Sequence, residues 1–277
     1  MSEEPAPPAQ AIFEAATDAE ATARAVAAAA PTTTERADVA HVHALDPSVK
    51  EPMRRLLISL ADNKYLLGRR YAEWCTGAPQ LESAVAAAAM AQDELGHARS
   101  FYPLLRGFGD DAAPMEEKGW QDTPTHAVTC LDRAFGTWAD FIAVNVLVDS
   151  AFTVLFESAV DSSYEPLRQR ARKIVQEERT HWVHGTGWLH RLAADPAMAS
   201  ALDAVCDDAL TWYGQNGDDP IVGALAAVGV LAAGPAALRS QLRDRLQPVL
   251  ADAGLSAVLE RDLPWDRWDA ETRRLRR

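Results

Sequence analysis

Gln92-Asp93-Glu94-Leu95-Gly96-His97 closes an alanine-rich helical run, Leu81 to Leu105. Its glutamate and histidine stand three residues apart, roughly 300° around a helix, so both leave the same face and can reach one ion. The pattern returns far downstream as Glu178-Arg179-Thr180-His181. Two Glu-x-x-His pairs on two helices are what half of the four helices contribute to a two-metal carboxylate centre inside a helical bundle. Two further helices must then bring one carboxylate each.

Outward from that stretch, the helix carrying it is predicted over about Gln80–Gly107, where Ala84, Ala86–Ala89 and Ala91 permit close helix contacts. A preceding helix starts at Asp46-Pro47, a cap followed by proline, and runs to about Thr76, before Gly77-Ala78-Pro79. Its apolar stripe is Leu57, Leu60, Leu67 and Tyr71, and Lys64 falls on that stripe. A lysine on an inward face needs a partner. Asp62 and Glu73 lie half a turn from it and cannot replace it without rotating the helix. A third helix is predicted over about Trp138–Ser163, with Asp149 on an apolar stripe that includes Ile142, Asn145 or Val146, and Phe156. A fourth, from Tyr164-Glu165-Pro166 to Leu192, carries the second pair. The four helices form two hairpins.

The flanks are read more simply. Residues 1–45 form a flexible, proline-bracketed N-terminal tail, and 46–277 a single helical domain with ligand-bearing helices within 46–192. Asp195 to about Leu263 supplies two or three accessory helices, separated by Gly214-Gln215-Asn216-Gly217 and Gly234-Pro235. Ile221–Leu238 is apolar but interrupted by glycines and Pro235, and reads as a buried core helix rather than a membrane span. The tail Trp265–Arg277 is basic and aromatic, with solvated charges.

The 277 residues are 48% hydrophobic and carry a net charge of −13, which argues against nucleic acid and against an anionic membrane as partners. Cys75, Cys130 and Cys206 are far apart and form no C-x-x-C, as expected of reduced thiols in a cytoplasm. No basic leader opens the chain. No G-x-S-x-G elbow and no glycine-rich phosphate loop occurs.

The inward set is therefore Lys64, Glu94, His97, Asp149, Glu178 and His181. Hard carboxylate oxygens balance and bridge Fe(II), and one imidazole per ion completes the donors. His184, one turn past His181, is a candidate neighbour of that set; His190 lies further on. The fold that accommodates the set is an all-α, ferritin-like four-helix bundle with additional C-terminal helices. Lys64 stands where the first helix should offer its carboxylate, and two accounts are open. Five ligands hold metal beside an ammonium that acts as proton donor or charge partner, or Lys64 itself replaces the metal charge.

These residues resemble the ferritin-like oxygenase subunits of bacterial phenylacetyl-CoA epoxidases, over about Asp62–Leu192 and again weakly at Pro264–Arg274. The stretch DNKYLLGRRYAEWC, Asp62 to Cys75, looks like the structural C-type subunit. QDELGH, Leu147-Val148-Asp149 and SSYEPLRQRARKIVQEERTH, Ser162 to His181, look like the catalytic A-type subunit. The resemblance implies metal ligands at Glu94, His97, Asp149, Glu178 and His181. Lys64, Tyr71 and Met90 stand where that catalytic family has glutamate, glutamate and lysine. It further implies two iron ions, O2, electrons from an external reductase, an aryl-CoA thioester substrate, and a paralogous ferritin-like subunit or a second copy as partner. In that reading Lys64 and Asp149 are the catalytic residues of a monooxygenase. A silent structural subunit with Lys64 in place of metal, and a rubrerythrin-like peroxide protein, are the alternatives.

Overall fold

The computed structural model describes residues 40–109, 126–217 and 219–276. The greater part of the predicted N-terminal tail, 1–39, lies outside them. Residues 40–43 are helical, and Val42 is buried in the core.

Four long helices make the bundle: α1 Pro47–Ala72, α2 Leu81–Gly107, α3 Trp138–Ala159 and α4 Glu165–Leu192. The architecture is the all-α, ferritin-like one. Asp46 caps α1, its carboxylate accepting from Ser48 N at 2.8 Å, with Pro47 in the first turn where its missing N–H costs nothing. Helix α1 stops at Ala72, a turn earlier than the sequence suggested, and residues 73–77 coil into turns before Pro79. A capping box opens α3, with Thr137 and Asp140 each accepting the other's backbone N–H. The same helix ends at Ala159 rather than Ser163, because Ser162 turns the chain, its hydroxyl accepting from Tyr164 N at 3.2 Å.

Helices α1 and α2 pack as one hairpin and α3 and α4 as another, and α2 faces α4 across the bundle. The α1–α2 approach depends on Gly68. A Cβ there would lie 2.9 Å from Leu95 Cγ and 3.1 Å from both Ala91 O and Glu94 Cβ. Helix α3 is long and apolar enough, by length and composition, to cross a membrane. In the protein 94% of its most apolar window is buried among the other helices, so its hydrophobicity is used up as core. Tyr71, Trp74, Trp138, Phe141 and Trp188 stack and tilt against one another at one end of the bundle.

Three accessory helices follow: α5 Pro196–Thr211, α6 Val222–Ala227 and α7 Pro235–Asp252. The apolar run Ile221–Leu238 is thus not one core helix. It breaks after Ala227, where Gly229 takes φ +74°, and α7 restarts only at Pro235, which suits a first turn and not a helix interior. The C-terminal tail also differs from a solvated basic segment. Trp268–Asp269 (β1) pairs antiparallel with Arg274–Leu275 (β2). Between them Arg273, 1% exposed, donates to both oxygens of Asp219 and to Trp212 O. Asp219 in turn accepts from Ile221 N and Val222 N, so the tail is pinned to the start of α6. A buried guanidinium needs such a partner set, and only folding brings residues 54 positions apart together.

Gly68→Val is expected to lower stability by about 1–3 kcal/mol through overpacking at the α1–α2 crossing. Gly187→Ala is the control: its added Cβ meets nothing within 4 Å, and the exposed helical site should gain roughly 0.5–1 kcal/mol. Urea unfolding followed by circular dichroism measures both.

Candidate functional site

Each bundle helix sends one charged side chain to the same point in the core. Lys64 (α1), Glu94 (α2), Asp149 (α3) and Glu178 (α4) are 0, 0, 1 and 2% exposed. Lys64, Glu94 and Glu178 follow from plain helical periodicity. Asp149 does not. Val144–Asp149 is a π-helical turn set into α3, and its extra residue rotates the second half of the helix by roughly 100° relative to the first. Gly185 of α4 makes room for the bulge, since a Cβ there would run into Asn145.

Lys64 Nζ donates to Glu94 Oε1 at 2.9 Å, to Asp149 Oδ1 at 3.0 Å and to Glu178 Oε1 at 2.5 Å. An ammonium has three protons, and all three are used. The rings of Phe152 and Phe156 lie 5.6 and 5.8 Å from the same nitrogen and shield it from water. His181 Nδ1 sits 3.1 Å from both Asp149 Oδ2 and Glu178 Oε2, and 3.4 Å from Glu94 Oε1. Its Nε2 points outward, 3.4 Å from Asp93. His97 stands one step aside. Its Nδ1 is 3.6 Å from Glu94 Oε2 and 3.7 Å from Glu178 Oε1, while Nε2 meets Glu177 at 2.8 Å. The Tyr71 hydroxyl and the Asn145 amide both donate to Asp149 Oδ2, at 3.2 and 3.4 Å.

The protonation pattern follows from this packing. Burial alone would depress Lys64, but the pull of Asp149, Glu178 and Glu94 outweighs it and holds its pKa well above the usual range. Burial works against the Glu94 carboxylate as well, yet Lys64 and the two histidines hold its pKa well below that of a free glutamate. Glu178 goes the other way: burial and its carboxylate neighbours raise its pKa. The carboxylates overcome burial at both imidazoles and push His97 and His181 up. Three carboxylates therefore face one ammonium and two imidazoles that favour the charged form. The cluster approaches neutrality on the protein's own cations.

Glu94, Asp149, Glu178 and His181 offer donor atoms within 4.8 Å of one another, and carboxylate with imidazole is the donor chemistry of iron. In type the residues fit a metal. In charge and space they do not fit a two-iron centre, because the Lys64 ammonium already bonds the three carboxylates that two cations would share.

Of the sequence-derived set, the structure brings together Lys64, Glu94, Asp149, Glu178 and His181, with His97 at the margin. His184 is not part of it: its ring packs edge-on against Trp138 and Phe141, and burial, with His181 and Arg191 nearby, lowers its pKa to about 4. His190 faces Asp252 at 3.5 Å. Asp62 is occupied by the backbone N–H of His126 at 2.7 Å, and Glu73 by Arg70, so neither substitutes for Lys64. Sequence reasoning missed the outward partners Asp93 and Glu177 and the polar roles of Tyr71 and Asn145. Asp93 lies inside Gln92–His97 itself, and Tyr71 on the same stripe as Lys64.

A four-helix bundle closed around a carboxylate–histidine cluster places the protein in the ferritin-like class. Within it, the chain belongs to the family described as phenylacetic acid catabolic protein, which matches residues 39–271. It is also similar to the C subunit of the 1,2-phenylacetyl-CoA epoxidase of Escherichia coli (strain K12), with 32% identity over 141 residues. The match covers 49% of this chain and 55% of that protein, so the chain spans about half the length of this curated relative.

Removing the ammonium while keeping the stem isolates its role. Lys64→Met is expected to cost about 3–5 kcal/mol in urea unfolding, since it removes the one cation that bonds all three buried carboxylates. The acid limb should report on Glu94. Its pKa is depressed on folding, so its contribution is full above the ordinary value of 4.5 and is lost as pH falls through the folded value. Glu94→Gln should flatten the loss of Tm below that pH relative to the unmodified chain.

Proposed function

We propose that this chain serves phenylacetate catabolism as a structural, ferritin-like subunit of a ring-epoxidising complex, with the Lys64 ammonium standing in for metal. The observation that carries the reading is the threefold bond from Lys64 Nζ to Glu94, Asp149 and Glu178. Similarity to a protein named as the C subunit of a phenylacetyl-CoA epoxidase supports it. In this reading the aryl-CoA thioester, O2, the iron and the electrons from a reductase meet on a paralogous ferritin-like partner, in the cytoplasm. This chain's own residues supply a rigid bundle. Lys64 bonds all three carboxylates and favours the charged form of Glu94, His181 and His97 add to the charge balance, and Tyr71 and Asn145 orient Asp149. A buried ammonium bonded to one carboxylate from each of the other three helices fixes one register of the bundle.

A metal-bearing monooxygenase is the second reading, favoured by one observation: the donors of Glu94, Asp149, Glu178 and His181 lie within 4.8 Å of one another. There the four residues and His97 would hold iron, which supplies O2 activation. Lys64 would turn away from the carboxylates and keep its proton for the reaction, with Asp149 as its relay.

Iron content separates the two. After anaerobic loading with Fe(II) and desalting, plasma mass spectrometry should find well under one iron per unmodified chain. Lys64→Glu, which restores a fourth carboxylate and removes the competing cation, should gain stoichiometric iron. Two irons per unmodified chain, with a folded helical spectrum, would sink the structural-subunit reading in favour of the monooxygenase.

A further inference from the structure

A cleft of about 630 Å³ opens where three stretches distant in sequence meet: residues 129–136 ahead of α3, the second half of α5, and the C-terminal hairpin. We propose that this cleft binds a small organic carboxylate carried on an apolar body. The inference is independent of what Lys64 does, because no residue of the carboxylate cluster lines the cleft.

The size falls within the range of small-ligand pockets, roughly 300–1,000 Å³. Phe135, Val144, Val205 and Leu275 give it an apolar wall. Its charged lining divides into two kinds. The carboxylates already have donors: Asp140 accepts from Thr137 N at 2.8 Å, Asp208 from Cys130 N at 2.7 Å, and Asp207 from Arg261 at 3.0 Å. The cations are differently placed. Arg133 is exposed and has no hydrogen bond or ion pair among the described residues. Arg267 is exposed too; it donates Nε–H to Arg276 O at 3.0 Å, and its terminal nitrogens have no hydrogen bond among the described residues. Among the described residues, the side-chain donors of the charged lining that stay unbonded are therefore guanidinium N–H groups, in a chain whose net charge is −13.

A guanidinium fork matches a carboxylate in a bidentate plane. The wall beside it rewards an apolar body and gives nothing to a bare anion. The Phe135 ring favours an aryl group over a short alkyl chain. Val144 adds a consequence for the rest of the molecule. It is the first residue of the π-helical turn that ends at Asp149 and lies fully buried directly behind the wall, so the cleft adjoins the element that carries one carboxylate of the cluster.

Titration calorimetry on the full chain tests the site, with phenylacetate, its neutral isostere phenylacetamide, and inorganic phosphate as probes. Phenylacetate should bind saturably, one per chain. The other two should bind at least about tenfold more weakly, the effect of a charged hydrogen bond or of the lost apolar contact. Arg133→Gln should weaken phenylacetate by a similar factor. Ala204→Trp, which fills the cleft from an exposed position, should abolish binding with the helical spectrum unchanged. Absence of saturable phenylacetate binding overturns the proposal. So does equal affinity for phenylacetamide or phosphate, and so does unchanged affinity in both variants, which would place the ligand elsewhere.

Discussion

One buried ammonium organises the centre of this protein. Lys64 lies in the middle of an apolar bundle, where an unpaired cation would be driven to lose its proton. It keeps the proton because each bundle helix other than its own delivers a carboxylate to hydrogen-bond distance. The dependence is mutual. Without Lys64, three carboxylates would share a dry pocket and repel one another. Helix register, the glycine at the α1–α2 crossing and the π-helical turn of α3 all act to bring those four groups to one point. The aromatic rings of Phe152 and Phe156 then keep water from loosening them.

The second layer of the cluster explains how so many charges are tolerated. His181 and His97 are not simply inward-facing imidazoles. Each bridges from the buried carboxylates to an acidic residue nearer the surface, Asp93 and Glu177. Positive and negative groups thus alternate outward, and each carboxylate of the core meets at least one cation. Tyr71 has a comparable part. Where the related catalytic subunits are expected to place a glutamate, this chain has a phenol that donates to Asp149, which neutralises no charge and adds no metal ligand. With Lys64, Tyr71 makes the first helix a source of hydrogen-bond donors to the buried carboxylates.

The bundle was largely legible in the sequence because helical periodicity and caps are local. Asp46-Pro47 and Gly77-Ala78-Pro79 mark ends that the structure keeps to within a few residues. Two elements were not legible. The π-helical turn at Val144–Asp149 leaves no period of its own, and its placement depends on Gly185 of another helix accepting Asn145. The C-terminal arginines read as solvated charges because their partners are remote. Arg273 meets Asp219 only once α6 and the β1–β2 hairpin are in place.

The sequence by itself determined that four amphipathic helices would face one another, and that Lys64, Glu94, Asp149 and Glu178 would share their inner faces with His97 and His181. That much follows from spacing along single helices. Tertiary structure decided what those residues do to each other. The sequence allowed Lys64 to stand beside a metal or to take its place. Only packing sets the distances, 2.5 to 3.0 Å, at which Nζ meets all three carboxylates. The physical reason is that periodicity fixes direction about a helix axis, whereas the electrostatics of a buried charge depend on separations between helices. Those separations are set by Gly68, Gly185 and the aromatic packing far along the chain.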